Sequence, residues 1–139
     1  MSLVSSIELR PIGIIRTTFE TRAACPASGW YCDSVSTVEL YPEYRGGLVG
    51  LEPSARIFVL WWFHLAHRDV LQLPFGAPPE PLGVFAMRSP ERPNPIALSA
   101  AQVVSVDEVG LAVRGLECVT GSYVLDVKRA VKMPDGCWM

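Results

Sequence analysis

The densest run of chemistry-bearing side chains lies between Gly83 and Ala100, GVFAMRSPERPNPIALSA. Its centre, RSPERPNP, sets Arg88, Arg92 and Asn94 among Pro90, Pro93 and Pro95. Each guanidinium is a planar fork of donors suited to a carboxylate, a phosphate or a base edge. The Asn94 carboxamide adds a donor and an acceptor. The prolines fix their own φ and hold Ser89, Arg92 and Asn94, the residues before them, in extended geometry. A loop stiffened in this way has little entropy left to lose on gripping a ligand, so it reads as a preorganised polar site. The plainer reading is a rigid turn whose arginines pair with acids such as Glu91 and Glu80.

Other candidates are scattered. Asp126 and Lys128 stand two apart on one strand face and either pair or leave Asp126 to take a proton. His64 and His67 are three apart, on opposite faces of a strand, so a two-histidine metal site is not expected. Cys25, Cys32, Cys118 and Cys137 show no CxxC spacing, which points to reduced thiols rather than zinc. Trp61 and Trp62 fit a core and an oligomer surface. Trp30 and Tyr31 either pack on the surface or stack on a base.

The elements that must position these groups are short. Ser6–Phe19 reads as an opening strand, with Pro11 marking an edge or bulge. Thr21–Ser34 is a loop, Val35–Tyr44 a second strand, and Arg45–Ser54 a connector with room for one helical turn. Ala55–His64 is a β-branched and aromatic run of the kind buried on both sides. Leu65–Pro81 is a polar, proline-rich loop and Leu82–Met87 a short strand. Ile96–Val106 and Gly110–Val119 form a hairpin around Asp107–Gly110. Tyr123–Val131 is the last strand, and Lys132–Met139 trails away. No long helical period occurs, and six or seven strands predict an all-β chain with minor helix, closed as a single-sheet barrel.

Bulk properties bound the function. The chain has 139 residues, half of them apolar and 19% charged, enough for one domain with a core. Net charge is −2, where a protein held on nucleic acid by phosphate contacts alone is usually basic. The N-terminus lacks the pattern of a signal peptide and Ile57–Phe63 is too short to span a bilayer, so a cytoplasmic protein without a membrane partner is expected.

The signature resembles that of the TsaA-like (TrmO) family, G-V-F-A-T-R-S-P-x-R-P-N-P-I-G-L-S, with Met87 for Thr and Ala97 for Gly. PIGIIRTTF, VELYPEYRGGLVGLE, IFVLWWFH and GLECVTGSYVLDVK are similar, in order, to four further family landmarks. The resemblance runs from Pro11 to Lys128. It implies an S-adenosylmethionine-dependent methyltransferase on a single-sheet β-barrel, usually a homodimer. The activity implied is N-methylation of N6-threonylcarbamoyladenosine beside the anticodon of tRNA. One domain over residues 1–139 is expected; bacterial members commonly carry a further C-terminal tRNA-holding domain, whereas this sequence stops soon after Lys128.

Carried over position by position, the resemblance places cofactor contacts at Pro26, Ala27 and Ser28, where the family has Pro-Arg-Gln. Others fall on His64, Leu65, Arg88 and Leu98. The family's D-G-T-P turn falls on Thr120, Gly121, Ser122 and Tyr123, keeping only the glycine. Alignment of nucleophile, methyl and leaving sulfur is then the main task, and no metal is needed. In this reading Arg88 contacts the cofactor, Arg92 clamps an anionic substrate group and Asn94 fixes the base or amide. Asp126, Tyr123 and His64 are the candidate proton acceptors. Two other readings stay open: a methyltransferase for a small molecule, and a non-catalytic barrel that binds S-adenosylmethionine or a nucleotide.

Overall fold

Alternation of apolar and polar residues sets the architecture. In Arg56–Trp62 (β3), Ile57, Val59 and Trp61 are buried while Phe58, Leu60 and Trp62 are half-buried. The same two-residue period runs through Gly13–Arg16 (β1), Val35–Leu40 (β2) and Ile96–Val106 (β6). Gly110–Arg114 (β7) and Ser122–Arg129 (β8) complete the set. The computed structural model describes residues 5–27 and 33–139. In it these six strands close in the order β1-β2-β7-β6-β3-β8, every neighbouring pair antiparallel. Closure satisfies both sides of every strand and leaves no edge. The remaining strands among the described residues, Gln72–Phe75 (β4) and Glu80–Gly83 (β5), form a separate two-stranded ribbon.

The barrel interior is filled by Ile15, Val38, Ile57, Val59, Trp61, Val103, Leu111, Val113 and Val124. The wall is tight beside β2. A Cβ on Gly110 would lie 1.9 Å from the Val38 carbonyl oxygen, and one on Gly13 would lie 2.1 Å from that of Glu39. Register shifts between Leu60 and Trp61 on β3, and between Val103 and Ser105 on β6, let so small a sheet curve shut. Among the described residues the helical content is short 3-10 turns at Arg22–Ala24, Pro42–Leu48 and Val84–Ala86. No helix among the described residues is long and apolar enough to cross a membrane.

The expected closed all-β barrel with minor helix is therefore present, and the hairpin around Asp107–Gly110 is formed by β6 and β7. Several local expectations need correction. The opening strand contracts to Gly13–Arg16, and Pro11 precedes it rather than marking an edge. β3 buries one face fully, because its other face looks outward from the barrel. The proline-rich segment holds the β4–β5 ribbon, with Pro74 opposite Pro81 in register. A two-stranded ribbon has outer positions where a missing N–H costs no ladder bond. Leu82–Met87 is strand only to Gly83 and then turns. The C-terminal segment folds back, with a bridge between Lys132 and Trp138 and the Trp138 ring 4.9 Å from the Arg56 guanidinium.

Candidate functional site

A cavity of about 640 Å³ opens where β3 ends. Four separated segments supply its wall. The loop around the first 3-10 turn gives Arg22, Cys25, Pro26 and Ala27, and the end of β3 gives Trp61, Phe63, His64 and Leu65. The signature loop and the start of β6 give Arg88, Arg92 and Leu98, and the β7–β8 connection gives Glu117, Cys118 and Ser122. The size and the mixture of apolar wall with a few polar groups suit a nucleoside-sized ligand.

The signature loop is tied down from both sides. Arg88 is exposed and its Nη2 donates to the Leu98 carbonyl at 2.6 Å. Arg92 Nη2 donates to the Met87 carbonyl at 2.9 Å and also to that of Val84. Its Nε is buried without a hydrogen-bond partner among the described residues. Arg92 thus braces the Val84–Ala86 turn through Nη2 while lining the cavity. Glu91 accepts from Arg22 Nη2 at 2.8 Å and from the His67 amide. Burial alone would raise the Glu91 carboxyl, but the Arg22 and His67 hydrogen bonds outweigh it and hold the group below its ordinary range.

A second feature runs inward from the cavity. The buried indole of Trp61 donates through Nε1 to Ser99 Oγ at 2.9 Å, and Ser99 Oγ donates to Glu117 Oε1 at 2.9 Å. Trp61 and Ser99 are each 2% exposed. The Phe63 ring lies 4.3 Å from that of Trp61, centroid to centroid. Burial, helped by the Glu117 charge, raises the thiols of both Cys25 and Cys118 above the ordinary cysteine range, Cys118 far more. The Arg22 charge opposes this at Cys25.

Of the residues singled out from the sequence, Pro26, Ala27, His64, Leu65, Arg88, Arg92, Leu98 and Ser122 line this one cavity. The others do not. Asn94 lies outside it, accepting from Arg68 Nη2 at 3.2 Å, while the Arg68 guanidinium covers the Trp62 ring at 5.2 Å. Asp126 lines a different cavity and pairs with Lys128 at 2.8 Å. That pair was one of the two readings of its spacing. Tyr123 is 43% exposed on β8 and is not part of the wall. The backbone amides of Thr120, Gly121 and Ser122 donate to Phe19, Ile15 and Val119, so this turn is committed to the barrel. Ser28, Trp30 and Tyr31 fall outside the described residues.

Sequence reasoning passed over Arg22, Phe63 and Glu117, and read Cys25 and Cys118 only as reduced thiols. Glu117 had a visible signal: it stands inside the GLECVTG landmark. Among the described residues no group of His, Cys, Asp and Glu is placed to hold a metal ion.

Comparison with known proteins adds the following. The family model for the tRNA-methyltransferase O N-terminal domain matches residues 14–136. A probable S-adenosyl-L-methionine-binding protein of Methanothermobacter thermautotrophicus is 41% identical, over 88% of this chain and 88% of its own. Another of Halobacterium salinarum is 44% identical, over 87% of this chain and 96% of its own. The crystal structure of TrmO from P. aeruginosa superposes with a TM-score of 0.78 at 30% identity. That match covers 96% of this chain but 58% of the TrmO chain, so the barrel spans about three-fifths of the solved protein.

Proposed function

The chain belongs to the tRNA-methyltransferase O N-terminal domain family, and from that premise we propose that it is an S-adenosylmethionine-dependent N-methyltransferase. The acceptor proposed is N6-threonylcarbamoyladenosine next to the anticodon of tRNA. The observation that carries the reading is the convergence of Arg88, His64, Leu98, Pro26 and Ser122, drawn from four segments, on one cavity.

The residues present fit the cofactor. A cavity of about 640 Å³ holds a nucleoside with an amino-acid tail. Pro26, Ala27, Leu65 and Leu98 offer apolar wall against the adenosine. Arg88, at the rim, offers a donor fork to a carboxylate. Phe63 adds an aromatic ring to the wall, and an aromatic ring is a favourable neighbour for a cationic sulfur. When bound, S-adenosylmethionine supplies a methyl group already activated by the sulfonium. The chain's own work is to align, to exclude water and to place the acceptor nitrogen in line. The rigid signature loop, held by Arg92 and Glu91, keeps Arg88 in place without a closing motion. A homodimer is carried as part of the same proposal, and sedimentation velocity tests it.

The net charge of −2 favours a second reading, a small-molecule acceptor. One assay separates the two. The chain is incubated with methyl-labelled S-adenosylmethionine and tRNA bearing threonylcarbamoyladenosine, at rising salt. Label entering the tRNA, with a rate that falls steeply with salt, supports the tRNA reading. Label reaching the isolated modified nucleoside equally well supports the small acceptor.

A further inference from the structure

We propose that Glu117 accepts the proton released by the acceptor nitrogen, held for that task by the Trp61–Ser99 relay. The inference rests on the methyl-transfer reading above and names a residue the sequence had not singled out.

The geometry leads there by direction of donation. Trp61 Nε1 has a proton to give and no capacity to accept. Ser99 Oγ takes that hydrogen bond and turns its single proton toward Glu117 Oε1 at 2.9 Å. A carboxylate that receives a hydroxyl proton in this way is held as an acceptor and fixed in orientation. The relay is buried at its inner end and reaches the cavity wall at its outer end. The other proton acceptors considered fare worse. Asp126 lines the other cavity and is paired with Lys128, and Tyr123 is outside the wall. His64 lines the rim and is exposed, with no side-chain hydrogen bond among the described residues to orient it.

In the step proposed, the methyl carbon leaves sulfur, the electron pair of that bond stays on sulfur, and the nitrogen lone pair forms the new N–C bond. The N–H proton passes to a Glu117 carboxylate oxygen. The sulfonium's positive charge and the carboxylate's negative charge are both gone at the end. An amide-like nitrogen is too weakly basic to keep that proton, so an acceptor within reach matters. Among the described residues, the charged and titratable groups facing the same cavity are Arg22 and Cys25 from the first loop, and His64 from the end of β3. Arg88 and Arg92 face it from the signature loop, and Cys118 from beside Glu117 itself.

The test uses the full chain and Glu117→Gln, which keeps the side chain's size and a hydrogen bond to Ser99. S-adenosylmethionine affinity, by calorimetry, is expected within about twofold of wild type. Transfer to tRNA bearing threonylcarbamoyladenosine is expected to fall about 100-fold or more, with loss of the acid limb of the pH–rate profile. Glu117→Asp recovers part of the rate, and the limb persists in His64→Gln at whatever rate that variant keeps. Without any turnover, the Cys25 thiol should titrate lower in Glu117→Gln, because Glu117 helps to raise it. Full transfer with an unchanged pH profile in Glu117→Gln, or loss of the limb in His64→Gln instead, would overturn the assignment. So would an unmoved Cys25 titration. A wild-type chain that binds the cofactor but labels no tRNA removes the transfer reading and the acceptor role with it, while the Cys25 shift would still be seen.

Discussion

Arg22 and Glu91 lie 69 residues apart and meet at 2.8 Å beside the cavity, joining the first loop to the signature loop. Both segments contribute to the wall, so this ion pair sets the width of the site. The Glu91 side chain is 15% exposed and that of Arg22 46%, so solvent screens the pair from the arginine side. Glu91→Gln keeps the shape but drops the charge, and is expected to weaken S-adenosylmethionine binding about tenfold, read by calorimetry.

The same pair fixes a pH dependence. The Glu91 carboxyl is held below its ordinary value of 4.5, so its contribution is fully present above that value. Stability is expected to fall as the pH drops below about 4.5 through the lowered value, as the unfolded chain takes up the proton first. Urea melts of wild type and Glu91→Gln between pH 3 and 7 check this: the two curves converge at the acid end.

Arg92 Nη2 donates to two backbone carbonyls from the end of a planar guanidinium, a geometry and reach that the shorter lysine stem with its point-like ammonium does not match. Arg92→Lys is expected to lose about 2 kcal/mol of stability, measured by urea denaturation, since carbonyls of the turn lose their donor. Cofactor binding weakens along with it, because the Val84–Ala86 turn carries Arg88.

Gly110 has no room for a side chain: an added Cβ would sit 1.9 Å from the Val38 oxygen. Gly110→Ala is expected to cost about 3 kcal/mol or more, because β2 and β7 must separate. Thermal melting checks it, with the midpoint falling by several degrees.

The cysteines differ in accessibility and in thiolate fraction. Cys137 is exposed, Cys25 is partly buried with a raised pKa, and Cys118 is buried with a pKa raised further. Alkylation with iodoacetamide at pH 8, mapped by mass spectrometry, is expected to modify Cys137 first, Cys25 slowly and Cys118 last. S-adenosylmethionine should protect Cys25, which lines the cavity, and leave Cys137 unaffected.

The barrel and its β6–β7 hairpin were legible because both rest on local alternation and a short turn. The signature loop was legible for the same reason, since Pro90, Pro93 and Pro95 act on their own neighbours. The β4–β5 ribbon was not, because Pro74 and Pro81 read as breakers until they are seen facing each other. Glu117 was hidden by distance. Its role depends on Ser99, 18 residues away, and through it on Trp61, a further 38 residues off. Of the Thr120–Tyr123 turn only Ser122 lines the cavity, because type and order say nothing about which position of a turn reaches the wall. Asp126 was ambiguous for a plainer reason: strand period placed it beside Lys128 but could not say toward which end of the barrel the pair would lie.

The central claim is that the cavity beneath Arg88 holds S-adenosylmethionine. Its most direct test is a calorimetric titration of that molecule into the purified chain, beside Arg88→Ala. The account predicts saturable binding at one site per chain, weakened at least tenfold by the substitution. Absence of binding by folded wild-type chain, or equal binding by Arg88→Ala, would contradict it.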